Sequence, residues 1–258
     1  MTHAAKTGDH RFVFVGGLHK SGTSLVARCL AEHPSISGFR NTGVPEDEGQ
    51  HLQTVFLPAS AYGGPGKFGF DPQAHLTEVS ELVTDENRAQ LLAEWGRHWD
   101  LAKEVLLEKS PPNLIRTRFL QALFPRASFV IVMRDPVAVA YATQKWSRTG
   151  IDSLIEHWLV CHETFERDRP HIRQLHLLRY EDLVERPQHS LDAIFSFLNL
   201  GPVSCGIEVR PGVNARYLRR LSEDSGLIGA GTDSEAKRIA RDYKSRVAAF
   251  GYHLRLSS

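Results

Sequence analysis

The segment RFVFVGGLHKSGTSLVARCLAEHP, residues 11–34, constrains the fold of this 258-residue chain more than any other stretch. A short apolar run of β-formers, residues 11–15, passes into a Gly-rich turn. The turn opens a helical pattern that Pro34 stops. Strand, tight loop and helix in succession form the repeating unit of a parallel α/β sheet. The loop presents several backbone N–H groups, and the helix behind it adds positive potential at its N-terminus. Together they make an anion cradle.

The same succession recurs along the chain. EVLLE (104–108) reads as a strand, and KSPPN turns from it into a helix through Phe124. SFVIVM (128–133) is apolar throughout, as buried parallel strands are. It ends at Arg134-Asp135-Pro136, and a helix follows. LHLLRY (175–180) is a further strand. Helices are predicted from a Thr84 cap through LLAEWGRHWDLA, over 152–169, over SLDAIFSFL behind Pro187, and over 234–250. Residues 41–75, rich in Gly, Pro and polar side chains, read as a long loop with a short helix, a form typical of lids and binding segments. The fold class expected is α/β, a central parallel sheet flanked by helices on both faces. Ligands of such sheets bind beyond the C-terminal strand ends. The Gly-rich turn, Lys109, Arg134 and Tyr180 all follow strand ends and are expected to converge there.

Composition removes several classes. Lys and Arg number 31 against 30 Asp and Glu, too balanced for a chain that coats nucleic acid through a broad basic surface. No apolar run approaches the roughly 20 residues of a membrane span, and MTHAAKTGDH lacks the apolar core of a signal peptide. Three spaced cysteines, Cys29, Cys161 and Cys205, argue against a disulfide framework and a Cys-type zinc site. A cytoplasmic setting and a metal-free site are the resulting expectations. The length fits a single domain over 1–258, with 1–10 as a flexible tail.

The loop GGLHKSGTS (16–24) is not the ATP-type loop. That loop is G-x-x-x-x-G-K-[ST]. Gly17 and Gly22 have its spacing, but Thr23 stands where lysine is needed, and the lysine sits inside the loop at Lys20. The best buried strand ends in Arg134 rather than an acidic residue. Asp135 comes next, so an ATP-dependent kinase of a small molecule stays open as a second reading. A non-catalytic nucleotide-binding relative is a third.

Lys20-Ser21-Gly22-Thr23 resembles the 5′-phosphosulfate loop of sulfotransferases that use 3′-phosphoadenosine-5′-phosphosulfate (PAPS). FVIVMRDPVAVAYA is similar to that family's 3′-phosphate segment, an apolar strand ending in Arg-(Asn/Asp/His)-Pro. LLEKSPPNLIRTRFLQALFPRA resembles the Lys-(Ser/Thr/Asp)-Pro segment of the protein-tyrosine and related sulfotransferases, and LLRYEDLVERP the family's Tyr-Glu-(Asp/Gln)-Leu-Val segment. Order and spacing agree over 11–200. NARYLRR and FGYHL look like the final segments, less specifically. The resemblance implies a P-loop fold related to nucleotide kinases, PAPS as co-substrate and adenosine 3′,5′-bisphosphate (PAP) as product. It implies that Lys20, Ser21, Gly22, Thr23 and Ser24, with His19 beside them, hold the 5′-phosphosulfate. Arg134 grips the 3′-phosphate with its planar fork of donors, and Tyr180 lies near the adenosine. The family usually has a serine eight residues after that arginine. Here the place is Ala142, with the hydroxyl of Thr143 next to it and Lys145 and Arg148 further along.

Sulfuryl transfer needs in-line attack and stabilisation of charge on the departing phosphate oxygen. Lys20 fits that role by loop position, and Lys109 fits by emerging after a strand beside the loop. The proton of the acceptor needs a base. Glu46, Glu48 and His51 in NTGVPEDEGQHLQ are the candidates, with Glu46 first and Glu48 close behind; for each the alternative is a solvated loop side chain. His157 and Cys161, four apart on a helix, lack a third metal ligand. Trp95, Trp99, Trp146 and Trp158 belong to the core or to acceptor walls. Arg216, Arg219 and Arg220 form a basic cluster, a solvated face or a segment brought over the nucleotide, with Arg216 and Tyr217 nearest the latter role. The expected acceptor is a small molecule: a metabolite, a natural product or a lipid.

Overall fold

A computed structural model describes residues 10–207, 212–226 and 235–254. Five strands, β1 (Arg11–Gly17), β2 (Ile36–Gly38), β3 (Val105–Lys109), β4 (Ser128–Met133) and β5 (Leu175–Arg179), form one parallel sheet in the order β2-β3-β1-β4-β5. The strand leading into the Gly loop therefore lies in the centre. Val15 is in register with Lys109 on one side, and Gly17 with Val132 on the other.

Alternation along the strands sorts the core by face. Val13, Val15, Val130 and Val132 pack on α1 (Thr23–Leu30) and α7 (Pro187–Phe197). Phe12, Phe14 and Phe129 pack on α2 (Asp85–Trp95) and α3 (Thr117–Leu123). Ile131 joins a third cluster with α4 (Pro136–Ser147), α5 (Ile151–Asp168) and α9 (Glu235–Ala248). Phe14 is fully buried, and such a ring contributes about 1.5–3 kcal/mol by leaving water.

Several boundaries differ from the sequence expectation. Thr84 does cap α2, its Oγ1 accepting from Asn87 N at 3.1 Å. The helix stops at Trp95 instead of continuing through 102. Gly96 ends it, and the Trp99 indole turns inward to donate to Leu107 O at 2.9 Å. The segment after Lys109 begins as a 3-10 turn, Pro111–Ile115, before α3. Two consecutive prolines supply no N–H groups for an α-helical ladder. Residues 45–74 carry five short 3-10 turns rather than one helix. Two helices were not anticipated: α6 (Tyr180–Glu185), which starts at the expected strand end, and α8 (Ala215–Gly226).

Residues 1–9 of the expected tail lie outside the described residues. His10 is buried, its Nε2 3.0 Å from Leu101 O. Among the described residues no helix is long and apolar enough to cross a membrane.

Candidate active site

The Gly loop, residues 16–22, runs from the end of β1 over the mouth of α1. Lys20 adopts a left-handed backbone (φ 69°) and so does Gly22 (φ 101°). For lysine this conformation is strained by about 1–3 kcal/mol, a cost found at ligand-binding turns. Gly22 is required for a second reason: a Cβ there would sit 2.6 Å from the Tyr180 ring. The loop and the start of α6 are thus in direct contact. No side chain caps α1, so its first N–H groups face the cleft as donors.

Ser21 is fully buried and its Oγ has no partner. The Lys20 ammonium lies 3.1 Å from the centroid of the Trp146 ring, a cation–π contact. Burial pulls the Lys20 pKa down, and Glu46 opposes that shift. His19 points toward Phe68, with ring centroids 5.8 Å apart. Burial first, and then the charges of Lys109 and Lys20, push its pKa to about 3, so the imidazole is neutral. Its Nδ1 is buried without a partner.

Arg134 follows β4 as expected. Its Nη1 donates to Lys20 O at 2.6 Å and its Nε to Asn214 Oδ1 at 2.9 Å, while Nη2 is buried without a partner. The guanidinium lies 4.3 Å from the Tyr180 ring centroid and 5.8 Å from that of Tyr217. Behind it, Glu181 Oε1 accepts from Asp135 N at 3.0 Å and from Asn214 Nδ2 at 2.6 Å; Tyr252 OH donates to Glu181 Oε2 at 2.9 Å. Asn214 and Glu181 were not singled out from the sequence. The Glu of the YED triplet was the available signal for Glu181; none existed for Asn214. Asp135 Oδ1 accepts from Ala138 N at 3.0 Å and caps α4.

Ala142 and Thr143 are buried on α4, and Thr143 Oγ1 has no partner. Tyr217, on α8, faces Arg134, whereas Arg216 donates to Tyr217 OH at 2.6 Å and Arg220 lies over Tyr141. The basic cluster is thus brought to the Arg134 side of the cleft through Tyr217 and its neighbour Asn214.

On the other side, Lys109 at the end of β3 is 4% exposed. Its Nζ donates to Glu46 O at 2.8 Å and to Glu48 Oε1 at 3.2 Å. Gln50 Nε2 donates to Glu48 Oε2, and His51 Nε2 lies 3.8 Å from the same oxygen. Glu48 is buried; Glu46 is exposed and receives the Ser24 hydroxyl at 3.1 Å. Glu46 and Asp47 are both left-handed (φ 53° and 49°). The Asp47 carboxylate ties the loop down by accepting from Thr42 N and Thr42 Oγ1.

Lys20, Gly22, Thr23, Ser24, Arg134 and Tyr180 share a cleft of ≈ 250 Å³ with Glu46, Glu48, His19 and Trp146. A second hollow of ≈ 390 Å³ adjoins it through Ser24 and Glu46, between α1 and the β2 end, with Lys109 on its wall. His157 and Cys161 come within 3.5 Å of each other. Among the described residues no group of three or more His, Cys, Asp or Glu is arranged to hold a metal. Trp95, Trp99 and Trp158 are core residues; Trp146 is 53% exposed at the cleft.

A central parallel sheet with a Gly loop at its middle strand defines a P-loop-type α/β fold. It matches the sulfotransferase domain of the Synechococcus olefin synthase with a TM-score of 0.54 at 16% identity, over 97% of this chain and 98% of that one. The sequence model of the sulfotransferase family covers residues 13–202, and the chain belongs to that family. It is 26% identical to protein-tyrosine sulfotransferase 2 of Gallus gallus over 73% of its own length and 51% of the relative's. It is 24% identical to nodulation protein NoeE of Sinorhizobium fredii over 81% and 54% respectively. The chain spans about half the length of these curated relatives.

Proposed function

We propose that this chain transfers a sulfuryl group from PAPS to a hydroxyl or amine of a small-molecule acceptor and releases PAP. Two unpartnered donors carry the reading, one on a residue that lines the cleft, Arg134, and one buried in the Gly loop beside it, Ser21. Ser21 Oγ and Arg134 Nη2 are both buried without a hydrogen-bond partner, on either side of the Lys20 backbone. A buried donor left unmade costs about 1–3 kcal/mol, so two flanking one Gly loop fit an anionic ligand seated on that loop. Lys20, Ser21, Gly22, Thr23 and Ser24 hold the 5′-phosphosulfate end. Arg134, stacked on Tyr180 and backed by Asn214 and Glu181, holds the 3′-phosphate. Thr143 Oγ1, also unpartnered, supplies the hydroxyl that Ala142 lacks.

Bound PAPS supplies a sulfur whose bond to the 5′-phosphate oxygen breaks as the bond to the acceptor oxygen forms. The Lys20 ammonium leaves the Trp146 face and neutralises charge on the departing oxygen. Lys109 has three N–H donors and two are engaged; the third is available to the same charge. Glu48 takes the acceptor proton. It is the buried carboxylate of the three candidates and is held between Lys109 and Gln50, whereas Glu46 is exposed. The hydroxyl acceptor accords with the tyrosine named for the avian relative. The three cysteines are free thiols, in keeping with the cytoplasmic setting we propose.

A thermal-shift comparison tests the reading. PAP is expected to raise Tm without added metal, and ATP with Mg²⁺ is not. The reverse result overturns the proposal in favour of a kinase. Transfer of labelled sulfate to a panel of phenols and primary alcohols, lost in Lys20→Ala, separates an enzyme from a binding protein.

A further inference from the structure

Glu108 is a buried acid that the mechanism above leaves unused. It is 1% exposed on β3, in register with Phe14 of β1. Both carboxylate oxygens accept: Ser110 Oγ donates to Oε1 and Asn113 Nδ2 to Oε2, each at 2.5 Å. Each donor has a second tie. Ser110 Oγ accepts from Gln50 N at 2.9 Å, and Asn113 Nδ2 also donates to Val15 O at 3.1 Å. The backbone of Gly49 lies against the same group, so closely that a Cβ there would be 2.4 Å from Glu108 Cγ. Three pieces of the site therefore meet on one carboxylate: the 48–50 segment with Glu48, the 110–113 turn behind Lys109, and the end of β1 that enters the Gly loop.

We propose that Glu108 is a positioning residue for transfer, holding Glu48 and Lys109 in register with the Gly loop through Ser110, Asn113 and the Gln50 backbone. This inference rests on the functional reading above. The ionised form fits the network, because both oxygens face donors and Ser110 Oγ, with its proton given to Oε1, is oriented to accept from Gln50 N. A proton on Glu108 needs an acceptor, and Ser110 Oγ is the neighbour able to take it. That reverses the bond: Ser110 Oγ turns its own proton off Oε1, and the rotation draws its lone pairs out of line with Gln50 N, slackens the 48–50 segment and frees Glu48 to drift. The ionisable groups facing Glu108 are Lys109 on its own strand, Glu48 from the loop and Arg116 behind the turn. Burial outweighs its hydrogen bonds and Lys109, and raises the pKa to about 7. The switch between the two networks thus falls near neutral pH.

The test compares the full-length chain with Glu108→Gln, Ser110→Ala and the double variant. Labelled sulfate from PAPS is transferred to a responsive phenol or primary alcohol, and the Gln50 amide is followed by hydrogen exchange. In E108Q kcat is expected to fall on the order of tenfold, as for a sub-ångström loss of alignment, with the KM for PAPS within about twofold of the parent. The rise of kcat through neutral pH flattens, and the Gln50 amide exchanges faster. S110A gives the same two effects, and the double variant falls no lower than the weaker single one. Parental turnover with a parental pH profile in E108Q overturns the proposal, as does unchanged Gln50 protection. If E108Q does not fold, S110A reads the same link with the carboxylate in place. If the parent neither binds PAP nor transfers sulfate, the functional reading fails, while Gln50 exchange still decides whether Glu108 holds the loop.

Discussion

On the β4 side of the Gly loop, Arg134 is clamped by groups from the residue before α8, the Gly loop and the start of α6: Asn214 to its Nε, the Lys20 carbonyl to its Nη1, and the Tyr180 ring against its face. On the β3 side, Lys109 and Glu48 meet on a segment with little regular structure, held by Asp47, Gln50 and Ser110. The first side is a socket built by helix termini and strand ends. The second is a tethered loop whose residues Glu46 and Asp47 sit in left-handed conformations. On the function we propose, the nucleotide is the same in every turnover, and a grip on it suits a rigid frame. An acceptor varies between enzymes of one fold, and a loop held by side-chain tethers can change its lining without altering the sheet.

Variants divide the two sides by their readouts. The largest effect is expected where the sides join. Lys20→Ala loses about 10²–10³ in kcat, the scale of one preorganised donor at a developing charge. If turnover survives, the loop does not hold the reacting end. Glu48→Gln is expected to lower kcat by about 10²-fold or more through loss of the base while PAP-induced stabilisation stays intact. Glu46→Gln and His51→Ala each lower it less than Glu48→Gln does. If Glu46→Gln gives the larger loss, the base is the exposed carboxylate and the tethered-loop description fails. Arg134→Ala acts on the other side, weakening PAP by roughly 10- to 100-fold for a charged hydrogen bond of about 1.5–3 kcal/mol. The binding isotherm shows it, with kcat at saturating PAPS much less affected. Thr143→Val is the smallest, about 0.5–1.5 kcal/mol in PAPS affinity; an unchanged KM removes Thr143 from the 3′-phosphate site.

The core beneath the two sides has its own pH signature. Burial holds His157 at about 3 and His162 at about 4. Both values lie below the ordinary imidazole value near 6.5, so the unfolded chain binds protons that the fold refuses. Their contribution to stability is present above pH 6.5 and lost as pH falls toward 4 and 3. Glu108 acts in the opposite sense: with its folded value raised to about 7, its contribution is full at acid pH and declines as pH rises through 7. A Tm profile with its maximum between these limits is expected. His162→Gln should flatten the acid side; an unaltered acid slope assigns that slope to other groups.

Much of this arrangement is legible in the sequence, for identifiable reasons. β4 matches its expected bounds, 128–133, because five consecutive apolar residues behind Ser128 end at an Arg-Asp-Pro break. Lys20, Lys109, Arg134 and Tyr180 reach one side because each follows a parallel strand, and topology does the rest. Asn214 was not legible: its role depends on α8 packing back on α4 beside Arg134, a long-range contact with no local pattern. Ala142 hides the same difficulty, since its neighbour's unpartnered hydroxyl shows only after burial is known. The 3-10 turns over 45–74 follow from dispersed prolines and glycines, which break helices without saying what replaces them. Glu46 and Glu48 differ by two positions and carry the same chemistry; only the fold buries one and exposes the other.

The contact between Lys20 and Trp146 has an optical consequence. Trp146 is a half-exposed indole at the cleft with an ammonium 3.1 Å from its ring centroid, while Trp95, Trp99 and Trp158 are shielded in the core. A nearby positive charge perturbs the excited state of an indole, and a ligand that draws Lys20 away removes that perturbation from one chromophore in four. The chain thus carries its own emission probe at the mouth of the cleft, readable without a label and isolated by comparison with Trp146→Phe.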